Sequence, residues 1–150
     1  MKNKKYKIVP AFIDRFSPNS KKMSMREYKN TIIRDIYYLL SSSSHLRLED
    51  IEEEYYERVR SSVLVYGIHS YVGRQYGTFR EYIVEEVKNA LIKFAPRLRP
   101  ETLVIDECSV EGVVFKLLIK GEFMVLTSVE KLTLTLNIDI ETGHTSVDKK

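Results

Sequence analysis

Between Lys131 and Ile140 every second residue is apolar. Leu132, Leu134, Leu136, Ile138 and Ile140 alternate with Lys131, Thr133, Thr135, Asn137 and Asp139. Successive side chains of a strand point to opposite faces, so this pattern predicts an antiparallel strand with one face on a core and the other toward solvent. The flanking sequence reads the same way. Thr102 to Cys108 predicts a first strand, Glu111-Gly112 a turn, and Val113 to Ile119 a second strand. Phe123 to Leu126 either extends that second strand or forms a small one of its own. Thr142-Gly143 turns the chain again, and His144 to Val147 returns briefly.

Before this block the period is helical. Ser24-Met25-Arg26-Glu27 has capping-box spacing, in which hydroxyl and carboxylate each satisfy an orphan backbone donor. Tyr28, Ile32, Ile36, Leu39 and Leu40 then recur at helical intervals. The run Ser41-Ser42-Ser43-Ser44 predicts the stop and a short, exposed connection, because hydroxyls compete for backbone hydrogen bonds. A second helix is predicted from Glu52 to Tyr66, with Tyr55, Val59, Val63 and Tyr66 on one face and Gly67 at the left-handed position beyond its end. Its Glu52-Glu53-Glu54 start suits the positive end of the helix dipole better than a metal site. Gly67, Gly73 and Gly77 suggest turns, without the glycine fingerprint or lysine of a phosphate loop. Thr78-Phe79-Arg80-Glu81 has the spacing of a second capping box. It opens a third helix whose stripe is Phe79, Ile83, Val87, Ala90, Leu91 and Phe94, ended by Pro96. Helices first and a meander after predict an α+β fold, with about three N-terminal helices packed on a small, mainly antiparallel three- to four-stranded sheet.

A chain of 150 residues with 43% apolar content suits one compact domain. The boundaries read as a basic extended arm (1–22), a single α+β domain (23–147) and a tail (148–150). The arm carries Lys2, Lys4, Lys5, Lys7, Arg15, Lys21 and Lys22 against Asp14 alone. Phe12, Ile13 and Phe16 are its candidate apolar anchors, and Pro10 and Pro18 block regular structure. Such a cationic run grips an acidic partner or nucleic acid, or is simply a solvated terminus. Nucleic-acid binding calls for interleaved aromatics, and the first basic run offers only Tyr6. No apolar run reaches the ~18 residues of a membrane span. The lone Cys108 has no partner for an internal disulfide. A cytoplasmic protein is expected, with no membrane partner.

Chemistry-bearing constellations are sparse. His45, His69 and His144 have no second histidine at helical ligand spacing, and Cys108 has no companion cysteine. There is no Gly-x-Ser-x-Gly elbow. A glycosidase needs two carboxyls across a cleft. Glu81, Glu85 and Glu86 are the candidates, but capping accounts for Glu81, and the other two point off the apolar stripe onto an exposed helix face. No catalytic, metal-binding or cofactor-binding residue is expected.

Several stretches are nevertheless distinctive: Ser62-Val63-Leu64-Val65-Tyr66-Gly67-Ile68, the helix end Phe94-Ala95-Pro96-Arg97-Leu98, and the strands closing on Glu141-Thr142-Gly143. In this order they resemble the small lysozyme-like baseplate wedge subunit of contractile phage tails and type VI secretion systems. Ala11-Phe12-Ile13-Asp14-Arg15-Phe16 resembles an arm motif of the secretion-system branch. The resemblance spans about residues 10–147. The family's Glu-Pro-Arg motif keeps its Pro96 and Arg97 here, with Ala95 in place of the glutamate, and Val65 stands where asparagine is common. The resemblance implies a non-enzymatic protein without cofactor or small-molecule substrate. It further implies contact with baseplate wedge subunits through Pro96 and Arg97, and initiation of a contractile sheath by strand pairing. The strand carrying Leu132, Leu134, Leu136, Ile138 and Ile140 is the candidate for that pairing. A phage-like tail baseplate, a cell-wall glycosidase and a nucleic-acid module are the alternatives.

Overall fold

The structure is a computed structural model and describes residues 24–44, 46, 57–59, 62–69, 72, 76–125 and 128–149. The basic arm, with Phe12, Ile13 and Phe16, lies outside the described residues, as do residues 52–56, 60 and 61 of the second predicted helix, Tyr55 among them.

Helix α1 (Met25–Ser41) begins at the expected capping box. The Glu27 N–H donates to Ser24 Oγ at 3.2 Å, and the Ser24 N–H donates to Glu27 Oε2 at 2.7 Å. The hydrogen bonds from Ser24, the backbone one foremost, hold the Glu27 carboxyl below its ordinary range. Ile32, Ile36, Leu39 and Leu40 are buried as the helical period requires. At the other end Ser41 and Ser42 turn their hydroxyls back onto the carbonyls of Tyr37 and Tyr38, at 2.6 and 2.5 Å.

The serine run stops the helix as expected, and Ser41 and Ser43 are exposed, but its end is more than a connection. Ser43–Ser44 forms β1, paired in parallel with β2 (Ile68–His69), and Ser44 is buried. Gly67 makes this possible. Its φ is +111°, and a Cβ there would lie 2.3 Å from the Ser42 carbonyl oxygen. That same oxygen accepts the Ile68 N–H at 2.9 Å. Only glycine lets the two backbones approach so closely.

The second helix does not continue to Tyr66. Residues 57–59 are helical, but Ser62 is extended. Its hydroxyl accepts the Leu64 N–H at 3.3 Å and caps a separate 3-10 turn, Val63–Val65. Val65 is the buried residue of that turn, and Val63, expected on the apolar face, is 82% exposed. Gly67 does take its expected place just beyond.

Helix α2 (Tyr76–Phe94) starts before Thr78, so Thr78 lies inside the helix rather than at its cap, and Gly77 is helical rather than a turn. Each residue added to an existing helix gains a hydrogen bond, and this carries the element past a local start signal. Ile83, Val87, Ala90 and Leu91 are buried as expected. The helix ends at Phe94, with the Ala95 N–H closing on the Leu91 carbonyl ahead of Pro96.

The rest is one antiparallel meander in the order β3-β4-β5-β6: β3 (Val104–Glu111), β4 (Val114–Val125), β5 (Ser128–Asp139) and β6 (Thr145–Lys149). Phe123 belongs to β4, which is one continuous strand. Asp148 and Lys149 belong to β6, so the domain runs through what composition marks as a tail. Phe115, Leu117, Ile119, Phe123, Leu132, Leu134, Leu136 and Ile138 face one way and are buried with the stripes of α1 and α2. The helices cover this one face, α1 toward β6 and α2 toward β3. The fold is α+β with a four-stranded antiparallel sheet.

Candidate functional site

Hydrogen-bond parity decides what the sheet can offer a partner. The Ile140 N–H donates to the Val113 carbonyl at 3.0 Å, and the Asp139 N–H donates to the His144 carbonyl at 2.9 Å. Bonded pairs alternate along an antiparallel ladder. In β5, the even-numbered residues therefore bond toward β4, and the odd-numbered residues bond toward β6. Strand β6 pairs with β5 only from Ile138 back to Leu134, where Lys149 is its last partner. Beyond that point the N–H and C=O groups of Lys131 and Val129 face a step that no described strand fills.

This corrects the placement of the candidate pairing residues. Leu134, Leu136 and Ile138 lie mid-sheet, with β4 on one side and β6 on the other, and their side chains are buried. Leu132 is also core, and its backbone is directed to Gly121 of β4. Ile140 lies past the strand, in the turn closed by the Gly143 N–H on the Asp139 carbonyl. These five residues anchor the strand. Among the described residues, no strand pairs with their odd-numbered neighbours at the start of β5 or with the outer side of β6, where the backbone groups of Thr145 and Val147 point away from β5.

The two borders of the sheet differ. Strand β3 shifts register between Glu107 and Ser109, which inserts Cys108 as a bulge. A bulge twists an edge and disrupts pairing. The border formed by β6 and the start of β5 has no register shift in its pairing. Beside the step, Val129 and its cross-strand neighbour Met124 are 49% and 52% exposed. Lys29 of α1 reaches Glu130 at 3.2 Å and braces the start of β5.

The second predicted site, Pro96-Arg97, lies at the corner between α2 and the 3-10 turn Pro100–Thr102. Pro96 is exposed. The Arg97 guanidinium sits 5.2 Å from the Tyr28 ring centroid, and Nη1 lies 3.8 Å from Asp35 Oδ2. That separation permits ion pairing but not a hydrogen bond, so buried Nη1 has no hydrogen-bond acceptor among the described residues. The corner is fixed from behind: Leu98 bridges to Phe123, and the Arg99 N–H donates to the Glu122 carbonyl at 2.8 Å. The carboxylate of that ion pair comes from Asp35 on α1.

A third cluster escaped sequence reasoning. His69 Nδ1 bonds Glu86 Oε1, the His69 N–H donates to the same oxygen at 2.8 Å, and Nε2 lies 2.7 Å from the Leu46 carbonyl. Glu86 is therefore not a solvated helix-face acid, whereas Glu85 is exposed. The pair borders an open cavity of about 430 Å³ lined by Glu57, Val65, Asn89, Lys93 and Phe94 among others. His69 and Glu86 are 17 residues apart, a separation that no local motif marks.

Among the described residues no group of His, Cys, Asp and Glu could hold a metal ion, and no helix is long and apolar enough to cross a membrane. No protein-family model, curated protein or solved structure matches the chain.

Proposed function

We propose that this chain is a scaffold subunit of the baseplate of a contractile injection machine, of the secretion type or the related phage-tail type, assembled in the cytoplasm. It attaches to wedge subunits through the Pro96-Arg97 corner and starts the sheath by taking up a partner's strand. It works mechanically and uses no cofactor. The observation that carries this reading is the step at the end of β6, where the backbone groups of Val129 and Lys131 point outward beside the exposed Val129–Met124 pair. An edge of this kind pairs with an arriving strand through main-chain hydrogen bonds. The likeness of Phe94-Ala95-Pro96-Arg97-Leu98 to the wedge-subunit motif supports the second contact. So does the buried Arg97 Nη1, which has no hydrogen-bond acceptor among the described residues.

The test is capture of the tagged protein from its native cells, followed by mass spectrometry and imaging of sheaths. Wedge and sheath subunits are expected together. Lys131→Pro removes one outward N–H and is expected to lose sheath while keeping wedge. Arg97→Ala is expected to lose wedge. Normal sheaths in both variants would refute the proposal.

A further inference from the structure

We infer that the Lys29–Glu130 ion pair sets the chemistry of the strand that the step accepts: a hydrogen-bond-donating side chain opposite Glu130 and an apolar one opposite Leu132. The inference rests on the strand-capture reading above and adds to it the choice of strand. It starts from a break in the alternation of β5. Side chains two residues apart on a strand share a face. Glu130 therefore lies on the face of Leu132, Leu134, Leu136 and Ile138, which are buried with the helix stripes. Its cross-strand neighbour on β4 is Phe123, a fully buried core residue. The next core-side place in the leucine series is thus held by an acid. Lys29 of α1 meets that acid at 3.2 Å, and the two side chains are 30% and 36% exposed.

A strand that continues the line of β6 runs antiparallel to β5 and meets this pair at close range. The odd-numbered residues of β5 bond toward that side, so Glu130 and Leu132 fall at the non-bonded positions of the new ladder. Facing side chains are closest there, with Cβ atoms about 4.5–5.5 Å apart. An apolar side chain opposite Glu130 would take water from a half-buried carboxylate and ammonium and return no hydrogen bond, which is costly. An acid there would face a like charge. A lysine, arginine, serine or threonine would donate to Glu130 instead, because a carboxylate accepts several donors and Lys29 supplies one. Two residues on, Leu132 offers an apolar neighbour. An inward-facing charge at a sheet border opposes indiscriminate pairing. The pair leaves main-chain bonding to the step intact and rejects strands whose core-side face is apolar throughout. It also fixes register, since a slip of one residue turns the wrong face inward and a slip of two sets the apolar residue against Glu130.

The test titrates two end-blocked peptides, Thr-Val-Thr-Lys-Thr-Ser and Thr-Val-Thr-Val-Thr-Ser, onto the isotope-labelled full-length protein. Binding is read from the amide NMR signals of Val129 and Lys131. The two peptides differ only in the residue that falls opposite Glu130. The lysine peptide is expected to bind the wild-type protein about three- to tenfold more tightly. Glu130→Val is expected to reverse that order. Valine suits a strand position, and the wild-type comparison stands on its own should the variant not fold. Equal affinities, tighter binding of the valine peptide to the wild type, or an unchanged order in folded Glu130→Val overturns the inference and leaves strand capture in place. Failure of both peptides to shift Val129 and Lys131 overturns strand capture and the inference with it.

Discussion

Two adjacent prolines test whether the start of β5 is an open edge. Leu132 bonds toward Gly121 of β4 and is 3% exposed, whereas Lys131 is exposed and directs its N–H into the step beyond β6. In Leu132→Pro the Gly121 carbonyl loses its donor, which costs about 1–3 kcal/mol for a buried acceptor. The shorter ring also forfeits part of the leucine burial, for which complete truncation costs about 2–5 kcal/mol. The sum is roughly 3–5 kcal/mol. In Lys131→Pro no ladder bond and no buried side chain is lost, and proline is tolerated where a strand's N–H faces solvent, so the cost is under about 1 kcal/mol. In urea unfolding followed by circular dichroism, with a slope of about 2 kcal/mol per M, Leu132→Pro lowers the midpoint by about 2 M and Lys131→Pro by less than about 0.5 M. Equal losses would mean that the Lys131 N–H is engaged within the folded chain. The parity assignment and the strand-capture proposal would then fail together.

Gly67→Ala places a methyl 2.3 Å from the Ser42 carbonyl at a φ of +111°, so loss of the β1–β2 pair and about 2–4 kcal/mol of stability is expected, read by thermal unfolding. Ser24→Ala removes the acceptor of the Glu27 N–H and is expected to cost about 1 kcal/mol, with amide exchange faster in the first turn of α1. The Asp139 carboxyl is held below its ordinary range, first by the Thr142 N–H and also by the Glu141 N–H. Its contribution is therefore complete above the unfolded carboxylate value and is lost as pH falls through the lower, folded value. Amide exchange in the turn after β5 is expected to accelerate over that acid interval, and Asp139→Asn is expected to abolish the dependence.

The sheet was legible because its signal is periodic. Leu132 to Ile138 and Phe115 to Phe123 alternate, and the structure buries that set. Stripes of period 3.6 likewise marked α1 and α2. What escaped depends on meetings between distant segments. Nothing in Ser43-Ser44 announces a strand, since that pairing exists only because Gly67 admits a second backbone. The Thr78 box has the letters of a cap but lies within the helix. The central place of Leu134 to Ile138 is set by β6, a five-residue strand whose own composition is polar. The His69–Glu86 pair has no local spacing to betray it.

The single extra residue in β3 reaches beyond local geometry. A border kinked at Cys108 resists a neighbour, while the opposite border is stepped and has no register shift in its pairing. The two borders therefore differ in what they offer a further strand. The proposed strand capture is accordingly expected at the β6 border and not at the β3 border.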